Sequence, residues 1–303
     1  MFLVFLSLIV LYHPSDCEGA VLLLGGVGAG YEYVTAVEDI AASAGCWEDI
    51  PDLPQGRSYA GAALYAGQAM LCGGFWDGER QSGCWVLWEE GWMEVQSMLI
   101  RRNLFTMTSV MDRILVTGGS NDEQGDLSSV EVYEDEAWRP GPSLSSTRYG
   151  HCAVEYRNKV IIMGGIISRH STNLVEMLDM EETDAVWATL PPMSVARGYT
   201  ACAVVEYDGV TGVMVTGGWD GVEYLDMVEF LNLEYMEWGV LPSLLTGRAD
   251  HTMTTVGGLT LVLGGFSGEA LNTTEVLTNQ GWRKGTALDQ KRYAHNTLTL
   301  PCF

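Results

Sequence analysis

Residues 213–248 read VMVTGGWDGVEYLDMVEFLNLEYMEWGVLPSLLTGR, and this stretch decides the fold. It opens on an apolar, β-prone run that stops at Gly217-Gly218. It passes through Val228-Glu229 to Trp238 and closes on Arg248. An apolar run ended by a glycine pair reads as a buried strand entering a tight turn. The same landmarks recur along the chain. Glycine pairs stand at Gly25-Gly26, Gly73-Gly74, Gly118-Gly119, Gly164-Gly165, Gly217-Gly218 and Gly264-Gly265. Tryptophans follow at Trp47, Trp92, Trp138, Trp187, Trp238 and Trp282. Ten residues after each tryptophan comes an arginine: Arg57, Arg102, Arg148, Arg197, Arg248 and Arg292. Val-Glu marks a further strand at Val37-Glu38, Val130-Glu131, Val175-Glu176 and Val228-Glu229, with Thr274-Glu275 in the sixth repeat. The second repeat departs from this with Cys84-Trp85.

Six units 44 to 51 residues apart, each with several short strands, predict an all-β, six-bladed propeller. Blades packed face to face cover both sides of each sheet, so near-continuous apolar strands are expected instead of clean alternation. The last arginine, Arg292, is read as opening a strand over Tyr293 to Leu300, and no seventh glycine pair follows. The first glycine pair has no arginine strand before it. The C-terminal strand is therefore expected to supply the inner strand of the first blade and close the ring. The expected blades are 292–303 with 20–50, then 57–95, 102–140, 148–190, 197–240 and 248–285.

These landmarks resemble the kelch-repeat family, and most closely the kelch half of BTB–kelch proteins. Gly217-Gly218-Trp219-Asp220-Gly221 and Ser128-Ser129-Val130-Glu131-Val132-Tyr133 lie near that family's consensus. The resemblance covers residues 20–303, and no BTB or BACK region falls within the sequence. It implies a module that binds a protein partner on one loop face. The contacts it implies come from residues just after the glycine pairs and just after the arginines. The first group is Val27, Phe75, Ser120, Ile166, Trp219 and Phe266, followed closely by Trp76, Asp77, Asn121, Arg169, His170 and Asp220. The second is Ser58, Tyr59, Asn103, Leu104, Tyr149, Tyr199, Asp250 and Tyr293. Aromatic anchors on a rigid frame suit protein binding, and the acids favour a basic or amphipathic partner segment.

The formal charge of −23, from 39 acidic and 16 basic residues, opposes nucleic-acid phosphate and anionic lipid. Phe2 to Tyr12 is an apolar run too short to span a bilayer, followed by small and polar residues up to Ala20. Residues 1–19 are read as a signal peptide and the protein as secreted. No Lys or Arg precedes the run, and a cytoplasmic protein with a misplaced gene start is the alternative. Cysteines 46, 72, 84, 152, 202 and 302 remain after residue 19, with Cys72 and Cys84 expected to pair across one hairpin. Asn272-Thr273-Thr274 is a glycosylation sequon.

No catalytic constellation is visible. His151, His251 and His295 each stand three residues after an arginine, a repeat-determined place, and are expected in inner strands. No carboxylate or cysteine recurs beside them in ligand spacing, and there is no CxxC, so neither a metal nor a cofactor is expected. Gly25 to Gly30 imitates a dinucleotide fingerprint, but no helix follows. A catalytic residue is needed once, whereas the arginines and tryptophans recur in every unit, which marks them as frame. The resembling family also contains copper-radical oxidases and sialic acid epimerases. A carbohydrate-binding or carbohydrate-processing protein therefore stays open beside the non-catalytic binding module. So does the substrate-recognition part of a cullin ubiquitin ligase adaptor.

Overall fold

The computed structural model describes residues 20–40 and 50–300, and these form strands and loops only. Residues 1–19, Cys46, Trp47 and Cys302 lie outside the described residues, as do the signal-peptide reading and part of the first blade. Five blades are four-stranded antiparallel sheets in simple up-and-down order. The fifth is Ala201–Tyr207, Val210–Thr216, Val228–Asn232 and Glu237–Leu241. In the first blade, Ala20–Leu24 lies between Glu38–Asp39 and the C-terminal Asn296–Leu300. The register runs from Ala20 opposite Leu300 to Leu24 opposite Asn296. That pairing closes the ring as the repeat phase predicts.

The core lies between blades. One cluster joins Met70, Cys72 and Val86 of the second blade to Met107, Ile114, Val116 and Trp138 of the third. Ala20 to Leu24 are all fully buried, because blades cover this strand on both sides. The tryptophans staple neighbouring blades through their indole N–H groups. Trp92 donates to the carbonyl of Pro51, Trp138 to Gln96, Trp187 to Pro142, Trp238 to Pro191 and Trp282 to Pro242, at 2.8 to 3.0 Å. Each acceptor stands four residues after the preceding landmark tryptophan.

The arginines do not open the inner strands. They end the loops leading to them: Arg57 stands four residues before the strand Gly61–Tyr65, and Arg292 belongs to a two-residue strand paired with Val27-Gly28. The reason is in the glycine pairs. Gly217 and Gly218 have φ of +59° and +102°, and a Cβ on Gly217 would lie 2.5 Å from the carbonyl oxygen of Arg248. Only glycine lets that backbone approach. The arginine position is thus fixed by the turn of the preceding blade, before pleating resumes. His151, His251 and His295 accordingly sit just ahead of the inner strands and not within them.

Candidate functional site: the channel mouth and its loop face

Each landmark arginine is a clasp. Its main-chain carbonyl accepts the N–H of the second glycine of the preceding blade, as in Gly218 to Arg248 at 2.8 Å. Its guanidinium reaches into its own blade, where Arg197 donates to the carbonyls of Gly217 and Met227, both at 2.9 Å. Four arginines also meet a buried glutamate at 2.6 Å: Arg102–Glu131, Arg148–Glu176, Arg197–Glu229 and Arg248–Glu275. Arg292–Glu38 follows at 3.1 Å. These glutamates are the strand markers of the sequence. Four of the five also accept main-chain N–H groups from the loop before the arginine: Glu131 from Leu99 and Ile100, Glu229 from Ser194, Glu275 from Leu245 and Thr246, Glu38 from Asp289.

The second blade solves the same problem differently. The guanidinium of Arg57 stacks over the indole of Trp85, 3.7 Å from its ring centroid, and donates to Gln55 at 2.7 Å. The N–H that the missing carboxylate would have accepted is also missing, because Pro54 stands where the other loops carry Leu99, Ser145, Ser194, Leu245 and Asp289. Burial without a carboxylate pushes Arg57 down to about 9, which leaves it a cation at neutral pH.

Two residues beyond each arginine, the chain builds a closed ring. Tyr59 donates its N–H to the carbonyl of Ala294, Leu104 to Tyr59, Gly150 to Leu104, Tyr199 to Gly150, Asp250 to Tyr199 and Ala294 to Asp250, at 2.6 to 3.0 Å. All six have φ between +50° and +61°. This ring rims a cavity on the propeller axis of about 220 Å³, and His151, His251 and His295 line it below the rim. Their Nε2 atoms meet the hydroxyls of Thr117, Thr216 and Thr252 at 2.9 to 3.0 Å. Burial pushes His151 and His295 down to about 3 and His251 well below its ordinary value, so all three are neutral at pH 7. They act as wall and bridge between blades. Among the described residues, no three His, Cys, Asp or Glu side chains are grouped to hold a metal ion.

The rim carries one acid. Asp250 is half-buried, and its Oδ2 accepts a hydrogen bond from the Tyr59 hydroxyl at 3.3 Å. Burial pushes its carboxyl up to about 7, only partly offset by that bond. The phenols of Tyr59 and Tyr199 are pushed up by burial and then by neighbouring charge, Asp250 included, so both are neutral hydroxyls.

Outside the rim lies an aromatic arc. Trp219 contacts Tyr224 with centroids 4.8 Å apart, Tyr224 contacts Phe266 at 5.8 Å, and Phe266 contacts Tyr293 at 5.1 Å. Tyr33 meets Phe75 at 6.5 Å, and Tyr149 meets Tyr199 at 6.3 Å. The structure therefore brings Tyr59, Tyr149, Tyr199, Asp250, Trp219, Phe266, Tyr293 and Phe75 to one face, all half-buried. Trp76 and Asp77 project further, at the tip of the hairpin made by Phe75-Trp76 and Glu79-Arg80.

Other expected face residues are elsewhere. Val27, Ser58, Asn103, Ser120, Asn121 and Ile166 are buried, because pairing just after the glycines folds them under the loops. Arg169 and His170 are exposed, outside the arc. Asp220 stays on the face, but its Oδ1 accepts the N–H groups of Val222 and Glu223 and shapes its own turn. Those backbone bonds hold its carboxyl below the usual range. Asn272 is half-buried, and its side-chain amide donates to the Leu288 carbonyl at 3.4 Å, as Asn173 does to Met193. The expected Cys72–Cys84 disulfide is present, between directly opposed residues with Cα atoms 4.1 Å apart.

Sequence reasoning missed three features. Tyr33 and Tyr224 belong to the arc, but each lies several residues past its glycine pair in a loop of variable length. Cys152–Cys202 bridges the inner strands of the fourth and fifth blades. A signal for it existed, since these cysteines follow Arg148 and Arg197 by four and five residues in consecutive units.

Comparison with known proteins agrees with this geometry. The family model described as "Kelch motif" matches residues 101–145 and 147–194, the third and fourth blades. Kelch-like protein 36 of Bos taurus is 28% identical over 80% of this chain and 42% of its own length. Kelch-like protein 33 of Homo sapiens is 31% identical over 39% of this chain and 24% of its own length. The chain spans less than half the length of either relative. The solved structure titled "Structure of YjhT" superposes with a TM-score of 0.68 at 13% identity, covering 81% of this chain and 88% of that one. That likeness concerns the fold alone.

Proposed function

On the premise that this chain belongs to the kelch-repeat propellers, we propose that it is a non-catalytic protein-binding module. It docks a basic or amphipathic segment on the face that carries the ring and the aromatic arc. The observation that carries this reading is the rim itself. One rigid backbone ring presents tyrosines and an acid at three of its positions and apolar residues at the others. Large aromatic rings at low entropic cost are the usual anchors of protein interfaces. Panning a random peptide display library against the folded protein tests it. Enriched peptides should carry Lys or Arg beside apolar residues, and Trp219→Ala/Phe266→Ala should weaken them about tenfold or more. Peptides that bind this double variant unchanged would place recognition elsewhere.

Secretion is part of the proposal. Two disulfides among the described residues support an oxidising compartment, where such bonds persist. The match to much longer Kelch-like proteins favours a second reading, the recognition part of a ubiquitin-ligase adaptor. Expression in a eukaryotic secretory host separates the two. Secretion predicts protein in the medium, starting near Ala20 with paired cysteines, and mass spectrometry also reads the occupancy of Asn272. Protein retained in the cytosol with Met1 intact and free thiols would favour the adaptor.

A further inference from the structure

Asp250 stands out among the rim residues because its charge has no partner. Every buried glutamate of the frame meets an arginine, yet among the described residues no cation pairs with Asp250. Its carboxylate accepts a long hydrogen bond from the Tyr59 hydroxyl, at 3.3 Å. The groups facing it do not supply a charge. From the rim come Tyr199, next to it, and Tyr59, one position beyond Ala294, with Tyr293 close by, all neutral phenols. Ala294 follows it on the rim and carries no polar side chain. Below it, His251 and His295 are neutral and bonded to threonines. The arginines beneath, Arg197, Arg248 and Arg292, are held by Glu229, Glu275 and Glu38. A carboxylate left without a counter-charge in a partly desolvated, tyrosine-walled mouth gains most from an incoming cation.

We propose that the channel mouth is a receptor for one organic cation, seated on the Asp250 carboxylate against the rings of Tyr59 and Tyr199. The cation is the ammonium or guanidinium head of a partner's lysine, arginine or chain terminus. The cavity beneath the rim, about 220 Å³, takes the head and part of an alkyl stem. This deepens the docking proposal and rests on it for the source of the cation. The remaining charge of the protein acts in the same direction, since −23 raises the local concentration of any basic segment.

The test is a calorimetric titration of the full chain with butylammonium and butylguanidinium chloride, and with sodium butyrate as the anionic control. Saturable, weak binding of the cations and none of butyrate is expected. Asp250→Asn should cut cation affinity about tenfold or more, and asparagine suits the positive φ of this position. Tyr199→Leu keeps the carboxylate and removes one ring, and Leu104 shows that leucine occupies this backbone; a loss of severalfold is expected. Binding should strengthen from pH 6 to pH 8, with proton release, as the carboxyl gives up its proton. Equal binding of butyrate, no saturable cation binding, or unchanged affinity in both variants would overturn the proposal. N-acetylated lysine peptides compared with free-amine peptides lacking lysine distinguish a side chain from a terminus as the source. If the small cations fail while panned peptides still bind wild type and not Trp219→Ala/Phe266→Ala, the docking face stands and the cation receptor falls.

Discussion

Two positions only two residues apart behave in opposite ways around the propeller. At the first, all six blades carry arginine. At the second, all six share one backbone, with left-handed φ and a ring hydrogen bond, yet the side chains are Tyr59, Leu104, Gly150, Tyr199, Asp250 and Ala294. A side chain that recurs without exception answers a demand made by every blade. A side chain that varies on an unvarying backbone is free of that demand and open to a task done once. The second blade sharpens the lesson. It keeps Arg57 but replaces the glutamate by Trp85 and the neighbouring donor by Pro54. What is constant is therefore the grip of the guanidinium on main-chain carbonyls, while the counter-charge is negotiable.

Removing a constant residue should do the most damage. Arg197→Met strands Glu229 as a buried carboxylate beside unpaired carbonyls. It should cost about 3–5 kcal/mol, read by urea unfolding, or prevent folding. An Arg197→Met protein of nearly wild-type stability would break the comparison. The disulfide that ties two neighbouring blades comes next. Cys152→Ser/Cys202→Ser closes no loop of 50 residues and should lose about 4 kcal/mol, against about 3 kcal/mol for the 12-residue span of Cys72–Cys84.

The second blade offers a smaller and more discriminating effect. Trp85→Glu restores the common counter-charge but meets Pro54, which cannot donate. Adding Pro54→Ser should recover stability beyond the sum of the single changes, with a coupling of about 1–2 kcal/mol in a double-mutant cycle. Simple additivity would show that the glutamate and the loop N–H are not one device.

The effect expected at the rim is told apart from these by its dependence on pH. Asp250, pushed up to about 7 by burial, keeps its proton in the folded state where the unfolded carboxyl has lost it. Its contribution to stability is full below about pH 4 and lost as pH rises through about 7. Asp250→Asn should therefore gain on wild type from pH 5 to pH 8 in urea unfolding. The buried His151 and His295, pushed down to about 3, act in the opposite sense in both proteins, full above about pH 6.5 and lost as the pH falls. A flat difference between the two proteins would contradict the buried carboxyl.

The frame was legible in the sequence because it is repetitive. Glycine pairs, tryptophans and arginines at fixed offsets disclose the blades, and the phase of Arg292 discloses the closure. Even the partner of five of the six arginines stood in the sequence as the Glu of the strand marker, although no spacing rule says that the two meet. The site was legible only as a list. Phe75 and Ser120 occupy equivalent positions, yet one borders the arc and the other is buried, because neighbouring loops of unequal length decide which is covered. The same holds for Asp220 and Asp250. Both are acids on the face, but a two-residue turn consumes the first and the rim isolates the second.

The most direct test measures one pair of variants in two ways, by thermal unfolding and by affinity for a peptide panned on the wild-type face. Asp250→Asn should leave the melting temperature at or above that of wild type and weaken the peptide about tenfold or more. Glu229→Gln should lower the melting temperature by several degrees and, while folded, leave the peptide's affinity unchanged. If both variants move both quantities together, frame and mouth are not separate, and the division between repeated structure and singular function fails.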